Sequence, residues 1–175
     1  MTDNRIFPMT SLNQRASAIK LLLTDVDGVL TDGGVFYGPE GEVMKQFNIR
    51  DGMAVERLRA VGIDVGIITG ELSPSVARRA EKLAIDLLYL GCKDKPAALQ
   101  QVMAQRGLGA QQIAFIGDDV NDQKIMEMVG ITAAPSDALP QILAIADYVC
   151  HRPGGHGAFR EFAELLIAAQ HSVAG

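Results

Sequence analysis

The chain has no tryptophan, 5% aromatic residues, three histidines and two cysteines in 175 residues. Cys92 and Cys150 stand in no Cys-x-x-Cys or Cys/His ligand spacing, which argues against a disulfide framework or a zinc site and leaves reduced, structural thiols. Positive charge is scarce as well. Sixteen Lys and Arg stand against 21 Asp and Glu, a net charge of -5, and no basic run could track a phosphate backbone, so no nucleic-acid partner is expected. No apolar run approaches the ~20 residues that span a bilayer. The opening stretch MTDNRIFPMTSLNQRAS is polar and broken by Pro8, without the apolar core of a secretion signal. A cytoplasmic protein without a membrane partner is the expectation. There is no GxxxxGK[ST] loop for a nucleotide, no twelve-residue EF-hand, no internal repeat and no low-complexity tract.

With 48% hydrophobic residues, the chain is long enough for one well-buried domain, taken as residues 1–175 with a loose segment over 1–17. Short apolar runs recur: IKLLLTDVD, DVGIITG, DLLYLG, QIAFIGDD, ITAAP and DYVC. Helical patterns lie between them: MAVERLRAVG, SPSVARRAEKLA with Ser73 as N-cap and Pro74 in the first turn, KPAALQQVMAQRG, NDQKIMEMVG, ALPQILAIA and AFREFAELLIAAQ. Strands alternating with helices of this length predict right-handed βαβ units and a doubly wound, Rossmann-like parallel sheet. One irregularity, VFYGPEGEVMKQFN, reads as a small β-hairpin around Pro39-Glu40-Gly41, inserted after the first strand.

In such sheets the ligand sits at the carboxyl ends of the strands. There the sequence places Asp25 and Asp27 after the first strand, Thr69 and Gly70 after DVGII, and Asp118, Asp119 and Asp122 in GDDVND. A single Asp after a strand is ordinarily a helix cap, but capping uses one carboxylate per helix and does not explain doubled acids at two strand ends. Carboxylates brought this close raise one another's pKa unless a cation holds them ionised, and Mg²⁺, an oxygen-seeking ion that pairs carboxylates with a phosphate, fits best. The set then supplies the parts of phosphoryl transfer. Asp25 is the nucleophile, Asp27 the acid and then the base, and Thr69 and Lys95 hold the phosphoryl oxygens.

These residues resemble the haloacid dehalogenase superfamily of aspartate-nucleophile phosphatases. DVDGVLTDG, ITG, Lys95 of CKDKPAAL and GDDVND match its four motifs in order, and the likeness runs from about Ile19 to Gln170. TDGGVFYGPEGEVMKQFNIRDG and GGHGAFREF further resemble its capless branch, which acts on 3-deoxy-2-keto sugar acid phosphates. The resemblance implies Mg²⁺ held by the side chains of Asp25 and Asp118 and the backbone carbonyl of Asp27, with Asp119 and Asp122 behind the metal. It also implies a homotetramer in which hairpins pack together. The C-terminal loop and helix, 151–175, would reach a neighbouring site, with Gly154, Gly155 and Gly157 allowing close backbone approach to the ligand.

The resemblance further implies a phosphomonoester substrate, 3-deoxy-D-manno-octulosonate 8-phosphate, or as an alternative a nonulosonate 9-phosphate. Octulosonate members read Thr-Gly-Arg where this chain reads Thr69-Gly70-Glu71, while Glu71 with Lys82 resembles the nonulosonate members and Arg50 of FNIRDG the octulosonate ones. Glu71 suits hydrogen bonds from sugar hydroxyls, Arg152 and Arg160 suit a carboxylate, and His156 and Gly155 lie in the loop expected near substrate. Two readings of other classes remain open at this point: a phospho-Asp receiver-like signalling module, which also clusters acids with a Thr/Ser and a Lys, and a binding subunit that has lost activity. Against the first, a receiver takes its phosphoryl group after the third strand, whereas the acid words here are DxD after the first strand and GDDxxD later.

Overall fold

The computed structural model describes residues 11–173. Along the chain come α1 (Leu12–Ser17), β1 (Leu21–Thr24), β2 (Phe36–Gly38), β3 (Gly41–Met44), α2 (Ile49–Ala60), β4 (Asp64–Ile68), α3 (Pro74–Lys82) and β5 (Leu87–Tyr89). They are followed by α4 (Lys95–Arg106), β6 (Ile113–Ile116), α5 (Gln123–Met126), β7 (Ile131–Ala134), α6 (Pro140–Leu143), β8 (Tyr148–Val149) and α7 (Ala158–Val173). Six strands form one sheet in the order β5-β4-β1-β6-β7-β8, every pair parallel. The α/β doubly wound expectation is met. The six apolar runs are the six strands, short and without polar alternation because helices cover both faces of a parallel sheet.

The two faces divide the core by strand period. Leu22, Val65, Ile67, Ala114 and Ile116 point to one side, where Ala16 of α1, Ala54 and Leu58 of α2, Val76 of α3 and Phe159 and Phe162 of α7 cover them. Leu21, Leu23, Ile68, Ile113 and Phe115 point to the other, against Leu99 and Val102 of α4, Ile125 of α5 and Ile142 of α6. The hairpin forms as read, with β2 and β3 antiparallel and Gly38 opposite Gly41. From β1 to β4 the chain builds only the hairpin and α2, which is the capless arrangement.

Two expectations change. The segment 1–17 was expected to be loose; positions 1–10 lie outside the described residues, but 12–17 form α1. Ser11 caps it by accepting from Gln14 N, Ala16 is fully buried, and Arg15 pairs with Asp147 at 2.7 Å. Gln170 of α7 donates to Ala16 O and Ile19 O at 3.3 and 3.1 Å, so the segment is tied to the last helix. The second change is length. NDQKIMEMVG and ALPQILAIA hold only single helical turns, α5 and α6: a 3-10 turn over Val120–Asp122 precedes the first, and Pro140, in the first turn, sets the start of the second. Among the described residues no helix is long and apolar enough to cross a membrane.

Candidate active site

From β1 the chain winds outward through β4 and β5, then crosses back to β6, β7 and β8 on the other side. That reversal opens a crevice at the carboxyl ends of β1 and β6. Asp25, Asp27, Thr69, Gly70, Glu71, Cys92, Lys93, Lys95, Asp118, Asp119 and Asn121 line a cavity of about 260 Å³ there. Four separate stretches of sequence therefore meet in one place.

Asp25 extends the β1 ladder by one step, its N–H donating to Ile116 O at 3.1 Å, so its carboxyl is delivered to the edge of the core and buried. The chain then turns tightly, with Val26 O accepting from the N–H groups of Val29, Leu30 and Thr31. Gly28 permits this turn at φ 87°, and a Cβ there would lie 2.0 Å from Asp118 Oδ2. Only glycine lets the β1 and β6 loops close on each other.

Lys95 opens α4, which Asp94 caps by accepting from Ala97 N at 3.0 Å. Its buried ammonium sits 3.1 Å from Asp25 Oδ1 and 2.5 Å from Asp122 Oδ1. Asp122 is fully buried and its other oxygen accepts from Asp118 N at 3.0 Å, so one carboxylate fixes both the lysine and the β6 loop. Thr69 is buried at the end of β4, its N–H donating to Tyr89 O and its hydroxyl oxygen accepting from Glu71 N at 3.3 Å. Asp119 is exposed and its side chain caps the 3-10 turn at Val120 N. Asp27 is half-buried and ion-paired with Lys45, a residue the sequence reading passed over.

Carboxylate oxygens of Asp25, Asp118 and Asp122 lie within 4.8 Å of one another. Burial, then Asp122, push the Asp25 carboxyl up to about 7 against the pull of Lys95. Burial, then Asp25, Asp122 and Asp119, push Asp118 up to about 8. Lys95 is held above its ordinary value by Asp25 and Asp122 despite its burial. One ammonium does not neutralise three acids. Asp118 Oδ1 and Asp27 Oδ2 are buried and have no hydrogen-bond partner among the described residues. An all-oxygen donor set with excess negative charge and orphaned oxygens fits a hard divalent cation such as Mg²⁺.

Comparison with known proteins agrees with this chemistry. A family model for haloacid dehalogenase-like hydrolases matches residues 84–160. The 3-deoxy-D-manno-octulosonate 8-phosphate phosphatase KdsC of Yersinia pestis is 43% identical over 162 residues, 93% of this chain and 87% of that protein. The chain belongs to the KdsC family of haloacid dehalogenase-like phosphatases. The crystal structure of the Y. pestis enzyme superposes with a TM-score of 0.89 at 42% identity, covering 94% of this chain and 89% of that one. The enzyme from Moraxella catarrhalis, solved with magnesium, phosphate and KDO, superposes with a TM-score of 0.88 at 38% identity, covering 95% and 96%. Membership in the KdsC family removes the receiver-like reading, since the family consists of phosphoric monoester hydrolases.

Around this KdsC-type centre the outer residues distribute unevenly. Gly70 and Glu71 line the cavity, with Lys93 donating to Gly70 O at 2.7 Å and standing 3.9 Å from Glu71. Lys82 does not line it. It is exposed at the far end of α3, eight residues beyond Pro74 and so ~12 Å along the helix from the Glu71 end. Arg50 and Arg152 are also outside this cavity; with Arg160 they line a separate groove. His156 is exposed.

The loop glycines make close approaches within the chain itself. A Cβ on Gly154 would lie 1.9 Å from Gly28 O, and one on Gly155 2.5 Å from Asp32 N. Their close approach is to the chain's own β1 loop, where Gly155 N also donates to Val29 O at 2.9 Å. Cys92 lines the cavity, whereas Cys150 is buried in the core. Cys92, Lys93 and Asn121 lie within the words CKDKPAAL and GDDVND but were not singled out as site residues; the loop before α4 and the β6 loop bring them to the mouth.

Proposed function

We propose that this protein is a Mg²⁺-dependent phosphatase that hydrolyses 3-deoxy-D-manno-octulosonate 8-phosphate to the free sugar acid and phosphate. The observation that carries the reading is the meeting of Asp25, Asp27, Thr69, Lys95 and Asp118 in one cavity, with Lys95 Nζ 3.1 Å from Asp25 Oδ1. Octulosonate phosphatases at 40–43% identity over most of the chain support the choice of substrate.

In this reading the Asp25 carboxylate attacks phosphorus in line, forming the aspartyl phosphate as the bond to the sugar oxygen breaks. Asp27 gives its proton to that departing oxygen, then takes one from the water that attacks phosphorus and frees Asp25. Lys95 and the Thr69 hydroxyl hold the equatorial oxygens, and Asp122 keeps Lys95 in place. Asp25, Asp118 and the Asp27 carbonyl would hold Mg²⁺, with Asp119 and Asp122 behind it. Bound there, the ion would neutralise charge on the phosphoryl group.

Glu71 favours a second reading, a nonulosonate 9-phosphate, because an acceptor rather than a guanidinium stands at the cavity wall. Free thiols at Cys92 and Cys150 support a cytoplasmic setting. Exposed Phe36, Tyr37, Val43, Met44 and Ile49 support assembly into a homotetramer through the hairpin face. The test is phosphate release with Mg²⁺ or EDTA from the octulosonate 8-phosphate and from nonulosonate 9-phosphates. The expected result is a kcat/KM advantage of at least about tenfold for the octulosonate ester, loss with EDTA, and a fall of about 1,000-fold or more in Asp25→Asn. A nonulosonate preference would transfer the assignment to the second reading, and full activity in Asp25→Asn would overturn the mechanism.

A further inference from the structure

Among the described residues that line the cavity, only Lys93 and Lys95 carry positive charge, against five acids. The two lysines stand at different depths. Lys95 is at the floor, its side chain 1% exposed and its ammonium taken up by Asp25 and Asp122. Lys93, two residues earlier, is at the rim with its side chain 79% exposed. Among the described residues it donates only to Gly70 O, at 2.7 Å, which leaves two of its three donors open. Its ion pair with Glu71, at 3.9 Å and open to water, is loose and does not use up the charge. Backbone bonds fix this rim: Cys92 N donates to Thr69 O at 2.9 Å and Gly91 N to Glu71 O at 3.1 Å, so the loop after β5 is stitched to the loop that carries Thr69. A Cβ on Gly70 would lie 3.7 Å from Lys93 Nζ and 3.9 Å from Asn121 Nδ2, so the ammonium and the Asn121 amide both stand beside the bare face of Gly70.

We propose that Lys93 is a specificity-determining residue that takes the carboxylate of the substrate, an inference that rests on the phosphatase reading above. That reading gives a substrate with an anionic group at each end. The phosphate goes to the floor with Lys95, and the carboxylate must then be met at the mouth, where Glu71 and Asp119 repel it. Arg50, Arg152 and Arg160 line a separate groove, so within one chain Lys93 is the cation left for this anion. Glu71 beside it accepts from a hydroxyl of the same sugar. Octulosonate and nonulosonate esters both carry the carboxylate, so the assignment holds for either substrate.

The hydrogen bond to Gly70 O gives Lys93 a competing use, as a brace for the Thr69 loop. The two roles differ in what they discriminate. A brace serves every phosphate ester alike, whereas a carboxylate site serves only esters that carry a carboxylate, and it needs the charge of the side chain rather than its hydrogen bond alone.

The test compares wild type, Lys93→Gln and Lys93→Arg on two esters with Mg²⁺ present. One is the octulosonate 8-phosphate, or whichever sugar-acid phosphate the wild type turns over best, and the other is 4-nitrophenyl phosphate, which has no carboxylate. The readout is the ratio of the two kcat/KM values. Lys93→Gln, which can still donate to Gly70 O but carries no charge, is expected to lower the ratio at least about tenfold, with the loss in KM rather than kcat because the contact is the same in ground and transition states. Lys93→Arg, which keeps the charge, is expected to hold the ratio within about threefold of wild type. A glutamine variant with the wild-type ratio, whether both esters lose alike or neither loses, would overturn the proposal, as would an arginine variant as low as the glutamine one. A wild type inactive on both esters would instead overturn the phosphatase reading.

Discussion

Asp51 is a buried acid that the proposed chemistry does not use. It lies in the first turn of α2 at 3% exposure, and its Oδ1 accepts from Arg160 N at 2.9 Å. Burial pushes its carboxyl up to about 6 from 3.8, against the opposing pull of the Arg160 and Gly157 amides and the Arg79 and Arg160 guanidinium groups. A folded-state value above the unfolded one means the native protein binds this proton more tightly. The contribution is therefore complete below pH ~4, is lost as pH rises through about 6, and amounts to about 2–3 kcal/mol over that window. Asp51→Asn removes this proton while keeping an acceptor for Arg160 N. Urea unfolding is expected to show the variant gaining on wild type by about 1–2 kcal/mol between pH 5 and 7.5; a difference constant with pH would show that the carboxyl does not titrate in this window. Nothing in NIRDG announces a buried acid, because its burial comes from α7 crossing α2, more than a hundred residues later. Asp25, Asp118 and Thr69 were legible for the opposite reason: each ends an apolar run, so local sequence places it at a strand terminus. Lys45 stayed hidden because its partner is fixed by the packing of the hairpin, which local pattern does not encode.

At the scale of elements, the strands were readable because a sheet covered on both faces needs uninterrupted apolar runs, and these stand out against polar loops. Helix length was less so: α5 is a single turn that follows a 3-10 turn over Val120–Asp122, and α6 is a single turn as well, neither of which apolar periodicity can sense. The contact between the loop before α7 and the loop after β1 was invisible for the same reason, and it makes a sharp test. Gly154→Ala would put a methyl 1.9 Å from Gly28 O and 3.0 Å from Thr31 O, both backbone atoms, so the β1 loop must move. Gly62→Ala is the control. Gly62 has positive φ, 80°, which Gly154 does not, but nothing lies within 4 Å of a Cβ there. The first is expected to cost about 2–4 kcal/mol and at least about tenfold in kcat, the second about 1 kcal/mol with kcat unchanged. Thermal unfolding with steady-state kinetics on both variants separates strain on the β1 loop from the general cost of replacing glycine; equal losses would show that the two loops do not couple.

Among the described residues the cavity has no lid and the apolar hairpin no cover, and packing of copies of the chain through the hairpin would supply both. Between positions 36 and 53, Phe36, Tyr37, Val43, Met44, Ile49 and Met53 are between 48% and 81% exposed, a density of large apolar side chains that marks a contact surface. Ile49 and Met53, four apart, share one face of α2. If copies of the chain pack through this surface, a neighbour supplies the outer wall of the cavity, and Arg50, Arg152 and Arg160, grouped in a groove away from their own catalytic residues, become available to a neighbour's substrate. Tyr37→Asp combined with Val43→Asp places two charges on the surface without touching the core, since both side chains are already mostly in water. Sedimentation velocity is expected to show a tetramer for wild type and a monomer for the double variant, with the urea midpoint changed little. In the monomer, kcat/KM for the sugar phosphate is expected to fall at least about tenfold, while 4-nitrophenyl phosphate, too small to reach a neighbour's groove, loses much less. A monomer that keeps its full preference for the sugar ester would mean that each chain recognises the whole substrate alone, and the arginine groove would then have no part in the reaction.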